Sequence, residues 1–292
     1  MFNKLKANIL FNSLLRRPNI DNAYKMVDET DSWYDTIKKV HDSLGEIKKN
    51  NHEIIEIKSF DNLNLKAVYY PNNSEVTVIC VHGYTSHAER EWAFPGLFYL
   101  SLGFNVLIPY QRAHGLSEGR YISFGALEQS DMTLWVEKIN EIKPNGKIII
   151  HGLSMGGGIV LDLSNKKMEN VKCLISDAPS VSIVDFFKNV SKEVFKKDSD
   201  KIANHAIEKY RKVFNCDPND YESINIVSNS LYPILLSAGS NEHLEEVFEK
   251  IKANNPQDTD IIILPGCSHG NGMYKQTTIY QVKIKEFISK YL

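Results

Sequence analysis

Apolar residues along this chain follow two spacings that alternate. Unbroken apolar runs, the mark of strands buried on both faces, recur at Val76–Val81, Phe104–Pro109, Lys147–Ile150, Val171–Ser176, Pro233–Ala238 and Asp260–Leu264. Between them, apolar residues fall three and four apart, as on one face of a helix. These stretches are Trp92–Leu102, Leu127–Ile142, the residues from Gly157 to Leu163, His243–Ala253 and most of Met273–Leu292. Such alternation predicts a parallel sheet with right-handed crossovers and helices on both faces. Two earlier runs, Glu53–Lys58 and Leu65–Tyr70, are joined by Ser59-Phe60-Asp61-Asn62 and predict a hairpin. Together the runs predict a mostly parallel α/β sheet of about eight strands.

Two stretches break the alternation. Residues 1–50 carry helical spacing without strands and read as an N-terminal helical extension to an α/β domain at 51–292. Phe2, Leu5, Ile9 and Leu10 lie towards one helical face there, with Lys4, Lys6, Arg16 and Arg17 nearby. That face reads as packed on the body or on a second subunit, with a membrane-surface helix as the sharper alternative. The apolar run is too short for a transmembrane segment. Residues 31–49 predict a further helix, with Trp33, Ile37, Val40 and Leu44 on one face. The second break spans about 180–230. It holds one pattern through Ile183, Phe186, Phe187, Val190 and Val194, and another through Ile202, Ala206, Tyr210, Val213 and Phe214. An inserted helical excursion at the strand ends reads as a cap over a ligand site.

Composition narrows the class. Hydrophobic residues are 42% and charged residues 24% of the 292, enough apolar material for a sizeable core. The net charge of −2 argues against nucleic acid as a partner. Cys80, Cys173, Cys216 and Cys267 show no CxxC spacing, which speaks against a zinc site and fits a reducing, cytoplasmic setting. No metal is expected.

The chemistry gathers at Lys147–Gly158, where a strand runs into Gly152-Leu153-Ser154-Met155-Gly156 and then a helix. A serine between two glycines on a sharp strand-to-helix turn is the pattern of a nucleophile elbow. Serine needs a base to take its proton, and His269, in the loop after the last strand, is the candidate. His151 and His114 read as structural. The acid that orients the base is expected between serine and histidine in chain order. Glu242, after the strand Pro233–Ala238, is preferred, and Asp177, at the end of the preceding strand, is the alternative. An oxyanion hole needs two converging N–H groups. Met155 follows the serine, and Tyr84 follows Gly83 in the loop after Val76–Val81.

These residues resemble the α/β-hydrolase superfamily from about residue 53 to the C-terminus. The resemblance is carried by HG at 82–83, RAHGLSEG at 112–119, GLSMGG at 152–157, GSNE at 239–242 and SHG at 268–270. It looks closest to a bacterial branch of serine hydrolases grouped as esterases or peptidase-like enzymes. The resemblance implies a Ser-acid-His triad, an acyl-enzyme intermediate and no cofactor. Three positions depart from that pattern: Glu242 stands where aspartate is commoner, Tyr110 where an aspartate usually precedes QRAHG, and Ala238 where histidine is common. The expected activity is hydrolysis of a carboxylic ester, with an amide or peptide bond as the alternative and a non-catalytic binding protein as a third reading. The partner expected is a small-molecule ester or amide substrate, and self-association is left open.

Overall fold

The computed structural model describes residues 2–221 and 223–292; Met1 and Glu222, within the expected extension and insert, lie outside the described residues. The apolar runs form β1 (Glu53–Lys58), β2 (Asn64–Tyr70), β3 (Val76–Val81), β4 (Asn105–Pro109), β5 (Lys147–Leu153), β6 (Val171–Asp177), β7 (Ile234–Gly239) and β8 (Thr259–Leu264). They make one sheet in the order β1-β2-β4-β3-β5-β6-β7-β8. The β1–β2 hairpin is antiparallel, as is β2 against β4, and all later pairs are parallel. The sheet is that of the α/β-hydrolase fold.

The continuous apolar runs have a direct cause. Successive side chains on a strand point to opposite faces, and both faces of this sheet are covered. Val78, Cys80, Ile149 and Ile175 join one core with Trp92, Tyr99, Ile284 and Phe287. Ile79, Val81, Ile148, Ile150 and Leu174 join the other with Trp135, Val160 and Phe248. The covering helices are α1 (Phe2–Leu15), α2 (Tyr34–Ile47), α3 (Ala88–Ser101), α4 (Glu128–Ile142), α5 (Met155–Asp162), α6 (Ile183–Phe195), α7 (Ser199–Phe214), α8 (Ser223–Ile226), α9 (Glu245–Asn254), α10 (Gly272–Lys275) and α11 (Thr277–Ile288).

Several boundaries differ from the sequence reading. β5 continues three residues beyond Ile150, and α5 starts at once after Ser154. The α3 helix begins before Trp92, at Ala88. The closing helix is divided at Gln276 into α10 and α11.

The α1 helix divides its expected face. Leu10 is buried with Ala7, Phe11 and Leu15, whereas Phe2, Leu5 and Ile9 are exposed. The buried set forms a third core with Phe187, Ile207 and Tyr210 of α6 and α7. The apolar faces of the insert are therefore turned towards α1.

Between α1 and α2 a connector crosses the strand ends. Arg16 bridges Tyr121, and the Arg17 N–H donates to Arg120 C=O at 2.8 Å. The Arg17 guanidinium donates to the carbonyls of Ser117 and Gly115, each at 2.6 Å. Arg90 in α3 donates to the carbonyls of Asp21 and Ala23 at 2.9 and 2.7 Å.

Candidate active site

Ser154 occupies the single residue between β5 and α5, with φ 59° and ψ −117°. A non-glycine backbone held there costs about 1–3 kcal/mol and persists only where its surroundings over-determine it. Here they do. The Ser154 N–H donates to Asp177 C=O at 2.8 Å, and Ser154 C=O accepts the N–H groups of Gly158 and Ser180, each at 3.0 Å. The flanking glycines are required by close approach. A Cβ on Gly152 would lie 2.1 Å from the Gly156 carbonyl oxygen, and one on Gly156 would lie 2.0 Å from that of Val81.

The Ser154 hydroxyl lies 2.8 Å from His269 Nε2, and His269 Nδ1 lies 2.6 Å from Glu242 Oε2. The other Glu242 oxygen accepts the Gly239 N–H at 2.8 Å, so a turn of Ser240–Glu242 aims the carboxylate at the imidazole. The histidine loop is braced on that turn: Asn241 N–H donates to Cys267 C=O at 3.0 Å, and Gly266 N–H donates to Ser240 Oγ at 3.0 Å. The hydrogen bond to Glu242 raises the His269 pKa above its usual value, outweighing the opposing effect of burial.

Asp177, the alternative acid, makes no bond to His269. Its carboxylate accepts the hydroxyls of Ser237 at 2.6 Å and Tyr280 at 2.9 Å, deep in the sheet. Burial pushes its carboxyl up to about 6. His151 is fully buried, with the hydroxyls of Tyr99 at 2.7 Å and Tyr280 at 3.0 Å on its two ring nitrogens, and burial pushes it down to about 3. His114 is buried in the same way and pushed down to about 4. Both are structural, and the RAHGLSEG turn is too: Arg112 is buried against Asp131 at 2.6 Å and Asp61 at 3.0 Å.

Met155 is the first residue of α5, where a backbone N–H has no partner inside the helix. Tyr84 lies on the loop after β3, and a Cβ on its neighbour Gly83 would stand 3.3 Å from Ser154 Cβ. This closeness brings the Gly83–Tyr84 backbone beside the serine. A cleft of about 290 Å³ opens there, lined by Gly83, Tyr84, Glu91, Ser154 and His269, and also by Ala23, Tyr24 and Trp33.

Those last three, with Glu91, are the residues the sequence reading missed. Tyr24 and Trp33 belong to the N-terminal region, and no spacing links them to a site far along the chain. Glu91 lies among charged residues at the start of α3 and reads as a solvated face. The insert approaches this region through Phe186, whose ring packs on Tyr84 and Phe124. Among the described residues, no three or more His, Cys, Asp or Glu side chains group as metal ligands. No helix of the described residues is long and apolar enough to cross a membrane.

Residues 72–214 match the family model described as serine aminopeptidase, S33. A stretch of 130 residues is 34% identical to an uncharacterized Bacillus subtilis protein, YqkD, and covers 44% of this chain and 40% of that one. The chain spans less than half the length of the curated relatives it matches, 40% and 48%. Among solved structures, it superposes on the Pyrococcus furiosus esterase Pf2001 with a TM-score of 0.67 at 21% identity, covering 95% of this chain and 97% of that one. An alpha-beta hydrolase from Vibrio vulnificus superposes with a TM-score of 0.66 at 20% identity, covering 95% and 92%. At these identities the likeness is one of fold.

Proposed function

The chain belongs to the α/β-hydrolase superfamily, and from that premise we propose that it is a serine hydrolase that cleaves carboxylic esters through an acyl-enzyme. The observation that carries this reading is the array Ser154 Oγ–His269 Nε2 at 2.8 Å and His269 Nδ1–Glu242 Oε2 at 2.6 Å, mounted on a strained elbow.

In this mechanism Glu242 holds the imidazole with its proton on Nδ1, leaving Nε2 free to accept the serine proton. Ser154 Oγ attacks the ester carbonyl as Nε2 takes its hydrogen. The carbonyl oxygen becomes an oxyanion, received by the N–H groups of Met155 and Tyr84. The C–O bond to the alcohol then breaks, and the imidazolium returns its proton to the departing oxygen. A water molecule, activated by the same imidazole, hydrolyses the acyl-serine. Glu242 stays ionised and stabilises the imidazolium formed in both halves. No cofactor enters this scheme.

The test is hydrolysis of p-nitrophenyl butyrate, with labelling by a fluorophosphonate. Ser154→Ala is expected to lose labelling and to lower kcat by about 10⁴- to 10⁶-fold, the range for removing a triad nucleophile. Comparable turnover by that variant would sink the mechanism.

The matched family model is described as a serine aminopeptidase, which favours a second reading, amide-bond cleavage by the same residues. Aminoacyl anilides assayed beside short- and long-chain esters separate the two by their kcat/KM ratio.

A further inference from the structure

Glu91 is a buried acid in the cleft that the mechanism above leaves without a role. It sits in the first turn of α3, is 3% exposed, and lines the cleft. Its two oxygens hold two distant parts of the chain. Oε1 accepts the Gly83 N–H at 2.7 Å, and Oε2 accepts the Tyr24 hydroxyl at 3.0 Å. Gly83 precedes Tyr84, the second donor of the oxyanion site, and Tyr24 belongs to the connector between α1 and α2. The carboxyl is itself held from behind, because the Tyr274 hydroxyl donates to the Glu91 carbonyl at 2.9 Å. His41 Nε2 lies 2.7 Å from Tyr24 C=O, which keeps the connector in place beside Ala23 and Trp33 in the cleft. Removing the carboxyl would leave a buried N–H unpaired and release the hydroxyl of Tyr24.

We propose that Glu91 is a positioning residue that joins the Gly83–Tyr84 donor loop and the Tyr24 connector into one wall. Through it the N-terminal segment aligns the oxyanion site and limits which acyl and alcohol groups reach Ser154. This rests on the serine-hydrolase reading.

Burial pushes the Glu91 carboxyl up to about 7, and the titratable groups facing it are Tyr24, Tyr274 and His269. Below that value the carboxyl is neutral. Above it, a negative charge stands beside the place where the oxyanion forms and opposes it. Two ionisations then shape the activity: loss of the imidazolium proton switches it on, and ionisation of Glu91 trims it.

The experiment compares Glu91→Ala, Glu91→Gln and Tyr24→Phe with wild type, using kcat per fluorophosphonate-titrated site, KM and pH profiles. Hydrogen exchange is followed at residues 17–33 and 82–87, also in the Ser154→Ala background. Glu91→Ala is expected to lower kcat about tenfold to hundredfold, up to the cost of one oxyanion donor, and to speed exchange in both segments together. Glutamine keeps a carbonyl for Gly83 and an amide for the Tyr24 oxygen. It is expected to restore most of kcat and to remove the trimming at higher pH. Tyr24→Phe is expected to raise KM for bulky esters more than it lowers kcat. Unchanged kcat per titrated site in Glu91→Ala, or faster exchange in one segment alone, overturns the proposal; a purely stabilising role would lower Tm and leave kcat per site and the pH profile unmoved. If the alanine variant does not fold, the glutamine pH profile and the KM of Tyr24→Phe decide. A wild-type protein with neither turnover nor labelling overturns the serine-hydrolase reading instead, and the exchange measurement still decides the tether.

Discussion

Two carboxylates stand at neighbouring strand ends, and two amide substitutions tell them apart. Glu242→Gln removes the charge that orients and stabilises His269, and is expected to lower kcat by about 10⁴-fold. The same change alters the pH dependence. Bonding to Glu242 raises the His269 pKa, and the base must be neutral, so the acid limb of wild-type kcat/KM lies above the ordinary histidine value. Without the carboxylate that limb is expected to move to lower pH, which a kcat/KM titration of the residual activity reads. Asp177→Asn, by contrast, weakens the buried bonds from Ser237 and Tyr280. It is expected to cost about 1–3 kcal/mol of stability, seen as a lower denaturation midpoint, with kcat within about tenfold of wild type. Sequence order admits both acids, because each follows a strand between serine and histidine. What separates them is the turn after β7, where Glu242 reaches back to the Gly239 N–H and across to His269. That curl depends on contacts with Cys267 and Gly266, residues remote in the chain, and no local pattern announces it.

The elbow is the element most legible in sequence, because its requirements are local. A short strand, two glycines that admit no side chain and a helix start all fall within twelve residues, Lys147–Gly158. Gly156→Ala puts a methyl 2.0 Å from the Val81 carbonyl oxygen, so α5 must move off β3 or the chain must fail to fold. Loss of soluble protein, or at least about a hundredfold slower fluorophosphonate labelling, is expected on the scale of a misplaced reacting group. The insert is less legible. Its amphipathic spacing shows that one face of each helix is covered without naming the cover, and the sequence reading laid those faces over the serine. In the structure α1 takes much of that surface, through Leu10, Phe11 and Leu15 against Phe187 and Tyr210. Phe187→Ala is therefore expected to cost about 3–5 kcal/mol, as for other buried aromatics, and to loosen α1 as well as α7. Urea melts and exchange over residues 2–15 check both.

At the scale of the molecule, the alternation of runs and helical stretches was sufficient for the sheet, since burial on both faces leaves unbroken apolar strands. It was insufficient for the cleft, whose walls come from segments brought together by long-range contacts. Breaking one such contact gives a direct test. Arg17→Ala removes two guanidinium bonds to the 115–117 turn and is expected to speed limited proteolysis within residues 18–32 severalfold. The matched stretch, residues 72–214, begins well after that connector. The connector is thus an early-translated piece laid across a later-made pocket, fastened by a few arginines and one buried acid. Such a part is exchangeable. Related chains can acquire new diets by swapping the first thirty or so residues, and a laboratory graft of that piece, carried with a partner for Glu91, is a route to altered selectivity that leaves the serine and its base untouched.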